Sequence, residues 1–167
     1  DSYVNKKVIK AINSGSMTSL NCYEEVKFAE MLINIHPWAS MARFSKSGGE
    51  ACSIAIRIAR AASGKDKILF CGYHGWQDWY IGSTLRDKGV PLDIKKLTHK
   101  FEYNNLKIFK ILLKKYPSEF AAVILEPMNF VEPENGFLKN LRNLTHENDC
   151  LLIFDEICTG FRFDIGG

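Results

Sequence analysis

The stretch Leu151–Arg162 reads L-L-I-F-D-E-I-C-T-G-F-R and decides the fold class, because a run of four apolar residues ends in a carboxylate at Asp155. A continuous apolar run of this length predicts a strand that is buried on both faces. Similar runs occur over residues 67–71 and 121–125, and amphipathic helical patterns separate the three runs. This alternation predicts an α/β fold in which a mostly parallel sheet is covered by helices.

The remaining elements are predicted from the same periodicities. Helices are expected over residues 4–13, 22–34, 49–63, 105–115 and 137–147, and a short strand over Met41–Ser45. Residues 76–100 carry no regular pattern, and Phe161–Phe163 resembles a strand. We expect residues 1–40 to form an N-terminal helical segment and residues 41–167 to form the α/β part.

The composition argues against several classes of function. The net charge is only +3, and the lysines are scattered rather than set in one stripe, which argues against a nucleic-acid partner. No stretch is long and apolar enough to span a bilayer, so no membrane partner is expected. The five cysteines are odd in number and lack C-x-x-C spacing, which favours a reducing, cytoplasmic setting and offers no metal site. A small-molecule substrate is the remaining expectation.

A glycine pair lies where a strand is predicted to give way to a helix, in Ser47-Gly48-Gly49. The first N–H groups of a helix have no internal partner, and the helix dipole makes this end partly positive, so a phosphate can bind there. A tight turn that merely needs glycine is the alternative explanation. A nucleotide-binding domain is disfavoured, because neither the Walker pattern nor G-x-G-x-x-G is present.

Three further groups follow predicted strands directly, at the edge where open α/β sheets bind ligands. Tyr73 and His74 come after the run that ends at Cys71, and their alternative role is packing beneath a loop. Asp155 is suited to face a pyridine nitrogen, whose protonated form a nearby carboxylate favours. The alternative for Asp155 is a helix cap or an ion pair with Arg162.

Two more residues are candidates at the same edge. Glu126 follows the run 121–125, where it either orients a neighbour or forms a structural salt bridge. If the strand continues past Asp155, alternation turns Glu156 outward and returns Ile157 to the side of Asp155, where it can press on a ligand ring. Glycine amides, an aromatic ring and a carboxylate at one edge suit a flat, phosphorylated cation such as pyridoxal phosphate.

Four strings together resemble the class III aminotransferases, which are pyridoxal-phosphate enzymes of fold type I. They are R-F-S-K-S-G-G-E-A, Y-H-G, A-A-V-I-L-E-P and L-L-I-F-D-E-I-C-T-G-F-R, in the order and approximate spacing of the family. The branch most similar is that of the glutamate-1-semialdehyde 2,1-aminomutases and their relatives in sugar biosynthesis. The resemblance covers most of the chain from Ala42 onward. It implies part of a large cofactor-binding domain, a homodimer, and amino-group transfer or migration on an amino- or carbonyl-bearing metabolite.

The resemblance also implies a role for each site residue. Amides around Gly48 and Gly49 hold the cofactor phosphate, Tyr73 stacks on one face of the ring, Ile157 contacts the other face, and Asp155 binds the ring nitrogen. The remaining cofactor-binding candidates are Ser47, His74 and Glu126.

The chain departs from the family pattern in four respects, the first being that residues 128–132 do not match the aminomutase loop after Glu126-Pro127. Gly49 stands where the family usually has Thr or Ser, and Trp76 stands where the aminomutases often carry His. The lysine that the family attaches to its cofactor lies some tens of residues beyond the aspartate, and residues 156–167 contain no lysine. We therefore expect a segment of a longer protein, inactive in isolation because it lacks a general base. The alternative is a truncated, non-catalytic scaffold domain.

Overall fold

The computed structural model describes residues 1–15, 19–128 and 130–167, which form two compact units, Asp1–Arg43 and Phe44–Gly167. The first unit contains helices α1 (Ser2–Asn13) and α2 (Tyr23–Ile35). The side chain of Asp1 caps α1 by accepting hydrogen bonds from two backbone N–H groups. The apolar stripe of α1 is solvent-accessible: Val4, Val8, Ile9 and Ile12 are each at least half exposed.

The second unit is built on a four-stranded, wholly parallel sheet, which confirms the predicted fold class. Its strands are β1 (Lys67–Cys71), β2 (Thr98–Lys100), β3 (Phe120–Leu125) and β4 (Leu151–Phe154), in the order β2-β1-β3-β4. All six residues of β3 are buried, as its uninterrupted apolar run predicts. In contrast, β4 pairs only with β3 among the described strands, and its terminal residues Leu151 and Phe154 are exposed. The expectation that this strand is buried on both faces is therefore wrong within this chain.

Helices cover both faces of the sheet. They are α3 (Gly48–Ser63), α4 (Asp78–Ile81), α5 (Leu92–Lys95), α6 (Leu106–Lys115) and α7 (Phe137–Glu147). Along β1, and in β3 from Ala122 onward, one core cluster joins alternate residues to α6 and α7, and the other cluster joins the intervening residues to α3 and α4. This division follows from the strand geometry, because successive side chains point to opposite faces.

Several predicted elements need correction. Met41–Ser45 forms no strand, and Met41 is largely exposed, so its apolar character does not reflect burial. Phe161–Phe163 lies in turns, with Phe161 at a φ of 61°. The irregular stretch 76–100 contains α4, α5 and β2, which are four, four and three residues long and too short to show a period. Among the described residues, no helix combines the length and the apolarity needed to cross a membrane.

Candidate functional site

A single cavity of about 330 Å³ lies where the carboxyl ends of β1, β3 and β4 meet the first turn of α3. This volume lies at the lower end of the range for small-molecule pockets, roughly 300–1,000 Å³. Its lining contains all eight predicted cofactor-binding residues, namely Ser47, Gly48, Gly49, Tyr73, His74, Glu126, Asp155 and Ile157. The lining is completed by Gly75, Trp76 and Cys158, which were not among the predicted cofactor-binding residues.

The first turn of α3 presents backbone donors to this cavity. A capping box closes the helix: the Ser47 hydroxyl accepts from Glu50 N–H, and the Glu50 carboxylate accepts from the N–H groups of Lys46 and Ser47. Within the described parts of the chain, the N–H groups of Gly48 and Gly49 find no acceptor. These two unsatisfied donors lie at the positive end of a sixteen-residue helix, where an anion is favoured.

Ile157 approaches the same turn so closely that a side chain at residue 48 would require Ile157 to move. A Cβ on Gly48 would lie 2.5 Å from Cδ1 of Ile157. The chain leaves the strand at Phe154, and Ile157 N–H turns back to donate to Oδ1 of Asp155 at 3.1 Å. A turn, rather than the predicted continuation of strand alternation, therefore brings Ile157 to the cavity.

Asp155 is a buried carboxylate that is held from several directions. Its N–H donates to the Leu125 carbonyl, which extends the β3–β4 pairing by one residue. Oδ2 lies 2.7 Å from Nδ1 of His74 and accepts from the Cys52 thiol at 3.4 Å, while Oδ1 accepts from Ile157. A carboxylate has about four acceptor sites, so one site remains on Oδ1 for a ligand.

The electrostatic state of Asp155 follows from these contacts. Burial raises the pKa of Asp155, but the hydrogen bonds from His74, Ile157 and Cys52, together with the charge of His74, outweigh burial and bring the pKa below its ordinary value. A carboxylate that is ionised at neutral pH is therefore held at the cavity wall. The predicted alternative of an ion pair with Arg162 is not what the structure shows, since the partner is His74.

His74 is almost wholly buried, and both its ring nitrogens are used by the protein. Nε2 lies 3.0 Å from the carbonyl oxygen of Cys71, which can only accept, so Nε2 carries a hydrogen. The short contact between Nδ1 and Asp155 requires a second hydrogen. The ring stacks on Trp79, with centroids 6.3 Å apart and planes 19° apart. His74 borders the cavity, but no nitrogen is left to bind a ligand, and its contact is with Asp155.

Cys52 completes a buried trio with His74 and Asp155, and their potential ligand atoms all lie within 4.8 Å of one another. Such a trio has the composition of a metal site. However, burial and the charge of Asp155 raise the pKa of the Cys52 thiol to about 12, so it is a protonated hydrogen-bond donor rather than a thiolate. Sequence reasoning missed Cys52 because 103 residues separate it from Asp155.

Tyr73 and Glu126 line the remaining wall. The Tyr73 ring is 65% exposed and meets the edge of Tyr80, with ring centroids 5.6 Å apart. The Tyr80 hydroxyl donates to the carbonyl of Gly72, which anchors the turn that carries Tyr73. Gly72 has a φ of 105°, and a Cβ there would lie 2.6 Å from Oε2 of Glu126. The glycine thus allows the Glu126 carboxylate to lie against the turn.

Comparison with protein families identifies the origin of this arrangement. The sequence profile described as aminotransferase class-III matches residues 2–163. The chain belongs to the class-III aminotransferases. The family resemblance drawn from the four sequence strings is thereby confirmed, and the family indicates pyridoxal 5′-phosphate as the cofactor.

Several solved structures share the fold of this class-III chain. An omega-transaminase from Sphaerobacter thermophilus is similar over 100% of this chain and 43% of its own, with a TM-score of 0.86 and 29% identity. A glutamate-1-semialdehyde-aminomutase from Pseudomonas aeruginosa PAO1 is similar over 93% of this chain and 37% of its own, with a TM-score of 0.75 and 26% identity. The FumI protein of Sphingopyxis sp. MTA144, solved with pyridoxal phosphate, shows the same fold at a TM-score of 0.86 and 24% identity, covering 99% of this chain and 42% of its own. The chain therefore spans about two fifths of the length of these solved relatives.

Proposed function

We propose that this chain is the cofactor-binding part of a pyridoxal-phosphate-dependent aminotransferase or aminomutase. Its substrate class is an amino- or carbonyl-bearing small metabolite, such as a semialdehyde related to glutamate-1-semialdehyde or a keto sugar. The proposal rests on one observation: two free helix amides, an exposed tyrosine ring and an ionised buried carboxylate surround a single cavity. These groups match the phosphate, the ring face and the ring nitrogen of the cofactor.

The residues fit the cofactor in chemistry as well as in position. The free N–H groups of Gly48 and Gly49 are donors for a phosphate dianion. The remaining acceptor site of Asp155 Oδ1 suits a protonated ring nitrogen, and Tyr73 and Ile157 offer apolar surface for the ring faces. When bound, the cofactor supplies an electron sink for the breaking of a bond at the substrate carbon.

The protein contributes the electrostatic setting for that chemistry. Asp155 holds a proton on the ring nitrogen because opposite charges at close range favour the protonated pyridine. His74 is a positioning residue, which supports the charge of Asp155 from behind and is fixed by the Cys71 carbonyl. Cys52 donates to the same carboxylate oxygen and limits its rotation. Ile157 packs against Gly48 at the phosphate end of the cavity.

The proposal extends to assembly and cellular setting. In it, residues 1–40 are an N-terminal helical segment and residues 41–167 are part of the large domain. A homodimer is supported by exposed apolar side chains on α1, among them Val8, Ile9 and Ile12, which are at least half exposed. A reducing, cytoplasmic environment is supported by the state of the five cysteines, all of which are free thiols.

The decisive experiment measures cofactor binding and turnover in the full-length protein. We expect bound pyridoxal phosphate to give a visible absorbance band. Borohydride reduction should remove this band, and mass spectra should then show a modified lysine. The protein should also catalyse amino-group transfer. Asp155→Asn should lower turnover by several orders of magnitude while the cofactor-free protein still unfolds cooperatively. A band without turnover would favour the alternative of a non-catalytic scaffold. Near-normal turnover of Asp155→Asn would remove this carboxylate from the mechanism.

A further inference from the structure

The Gln77 side chain lies against Gly49 in the first turn of α3 and against Gly75. It takes no part in the capping box of this helix. A Cβ on Gly49 would lie 2.6 Å from both Nε2 and Oε1 of Gln77. A Cβ on Gly75 would lie 2.5 Å from the same Oε1 and 3.0 Å from Cα of Gly49. The two glycines therefore leave room for one side chain, and the Gln77 carboxamide fills it.

The orientation of this carboxamide is set by a backbone contact. Trp76 N–H donates to Oε1 of Gln77 at 3.2 Å. Since a backbone N–H can only donate, the atom facing it is the oxygen, and the amide nitrogen points elsewhere. Nε2 makes no hydrogen bond with any of the residues that the structure describes, so both of its hydrogens are available.

Nε2 lies beside the cup formed by Gly48 and Gly49, because a Cβ on Gly49 would lie 2.6 Å from it. Gly49 and Gly75, which Gln77 covers, both line the 330 Å³ cavity. On its outer side Gln77 lines a second cavity, together with Ser45, Glu50 and neighbouring residues. Gln77 is absent from the lining of the 330 Å³ cavity, but its free Nε2 lies against Gly49, whose backbone lines that cavity and whose N–H is free.

We propose that the Gln77 side chain is a third donor to the anionic group bound in the cup, and that residue 49 is glycine to make room for it. This inference rests on the proposed function, and it extends the phosphate site from backbone amides to a side chain that belongs to this chain. The ligand chemistry is a phosphate monoester, recognised by Gly48 N–H, Gly49 N–H and Gln77 Nε2. A carboxylate at position 77 keeps the acceptor for Trp76 but repels such an anion.

The test compares pyridoxal phosphate with pyridoxal, which lacks the phosphate, in the full-length protein. Dissociation constants are measured by quenching of intrinsic fluorescence for wild type, Gln77→Met and Gln77→Glu. Gln77→Met should raise the dissociation constant of pyridoxal phosphate roughly tenfold, the lower range for a hydrogen bond to a charged group. Gln77→Glu should raise it further, and neither variant should change the affinity for pyridoxal more than about twofold.

A second pair of variants separates donation from simple space filling. Gly49→Ala places a Cβ against the carboxamide and should displace it, producing the same phosphate-specific loss as Gln77→Met. With Gln77→Ala as the second single variant, the cycle is closed. In Gly49→Ala/Gln77→Ala the Cβ has room, so the losses of Gly49→Ala and Gln77→Ala should not add. Additive losses, or equal losses for pyridoxal and pyridoxal phosphate, would show that Gln77 only supports the turn.

The outcomes also distinguish this inference from the proposed function. Unchanged affinity for pyridoxal phosphate in Gln77→Met and Gln77→Glu, with normal binding by wild type, overturns the role of Gln77 alone. A wild-type protein that binds neither pyridoxal phosphate nor inorganic phosphate overturns the proposed function and the role of Gln77 with it.

Discussion

The pair formed by His74 and Asp155 makes a quantitative prediction about stability. In His74→Phe the ring shape is kept, so stacking on Trp79 is retained, but the donor to Asp155 Oδ2 is lost. The carboxylate is only 6% exposed, so water cannot readily replace that donor. We expect the free energy of unfolding to fall in the cofactor-free protein.

The size of the loss follows from what Asp155 retains. Removing one partner of a buried ion pair costs about 3–5 kcal/mol. Oδ1 keeps the Ile157 N–H, and Oδ2 keeps the Cys52 thiol, so the lower value applies. A loss of about 3 kcal/mol leaves a domain of ordinary stability folded, because such domains are stable by about 5–15 kcal/mol.

Urea unfolding at neutral pH measures this loss, and His99→Phe is the matched control. His99 packs against Tyr116 with ring centroids 4.7 Å apart, but its buried Nε2 has no hydrogen-bond partner among the described residues. The control should therefore cost less than about 1 kcal/mol. Equal stability of His74→Phe and wild type would refute the reasoning, because a buried charge would then need no partner.

A double-mutant cycle tests whether the two side chains act together. Asp155→Asn removes the charge that His74 supports. In that background, His74→Phe should therefore lower the free energy of unfolding by less than it does in wild type. We expect His74→Phe/Asp155→Asn to be less destabilised than the sum of the single variants, by about 2 kcal/mol. Strict additivity would mean that His74 stabilises the core only through packing.

Three further predictions concern neighbouring groups. Tyr73→Ala should weaken pyridoxal phosphate binding yet barely change unfolding of the cofactor-free protein, because the ring is 65% exposed; collapse of that form would instead make Tyr73 a core residue. Folding lowers the pKa of Asp155, so the stabilisation from its carboxylate is present above the unfolded pKa near 3.8. This stabilisation should be lost as the pH falls from that value through the folded pKa. Acid unfolding of wild type and His74→Phe measures the difference. In urea unfolding, Gly72→Ala should lower the free energy of unfolding more than Gly89→Ala. Both glycines have positive φ, but only at Gly72 would a Cβ meet the Glu126 carboxylate. Equal losses for the two variants would contradict that contact.

Much of the fold could be predicted from the sequence because continuous apolar runs and helical periods are local properties. The run that became β3 predicted a strand buried on both faces, and all six of its residues are buried. Helix α3 ends at Gly64, whose φ of 68° is the left-handed conformation that glycine adopts readily. The order of the strands was not readable, because it depends on crossovers between distant segments. This is why the exposure of β4 at the edge of the sheet was not predicted.

The candidate site was partly readable for a related reason. Strand ends in a parallel sheet share one edge, so the positions of Tyr73, Glu126 and Asp155 after apolar runs were enough to expect them together. The support beneath Asp155 was not readable. His74 lies 81 residues from Asp155 and carries no pattern that distinguishes a buried donor from a ligand-facing side chain.

By itself, the sequence determined the types of the main elements, the parallel sheet and the group of residues at its carboxyl edge, since these depend on period, chain order and glycine placement. Only the tertiary structure decided what each group does there: that His74 uses both nitrogens within the protein, that Cys52 reaches Asp155, and that Gln77 covers Gly49. The physical reason is range. Periodicity acts between neighbours along the chain, whereas hydrogen bonds and steric exclusion act over a few ångströms between residues whose approach the complete fold alone establishes.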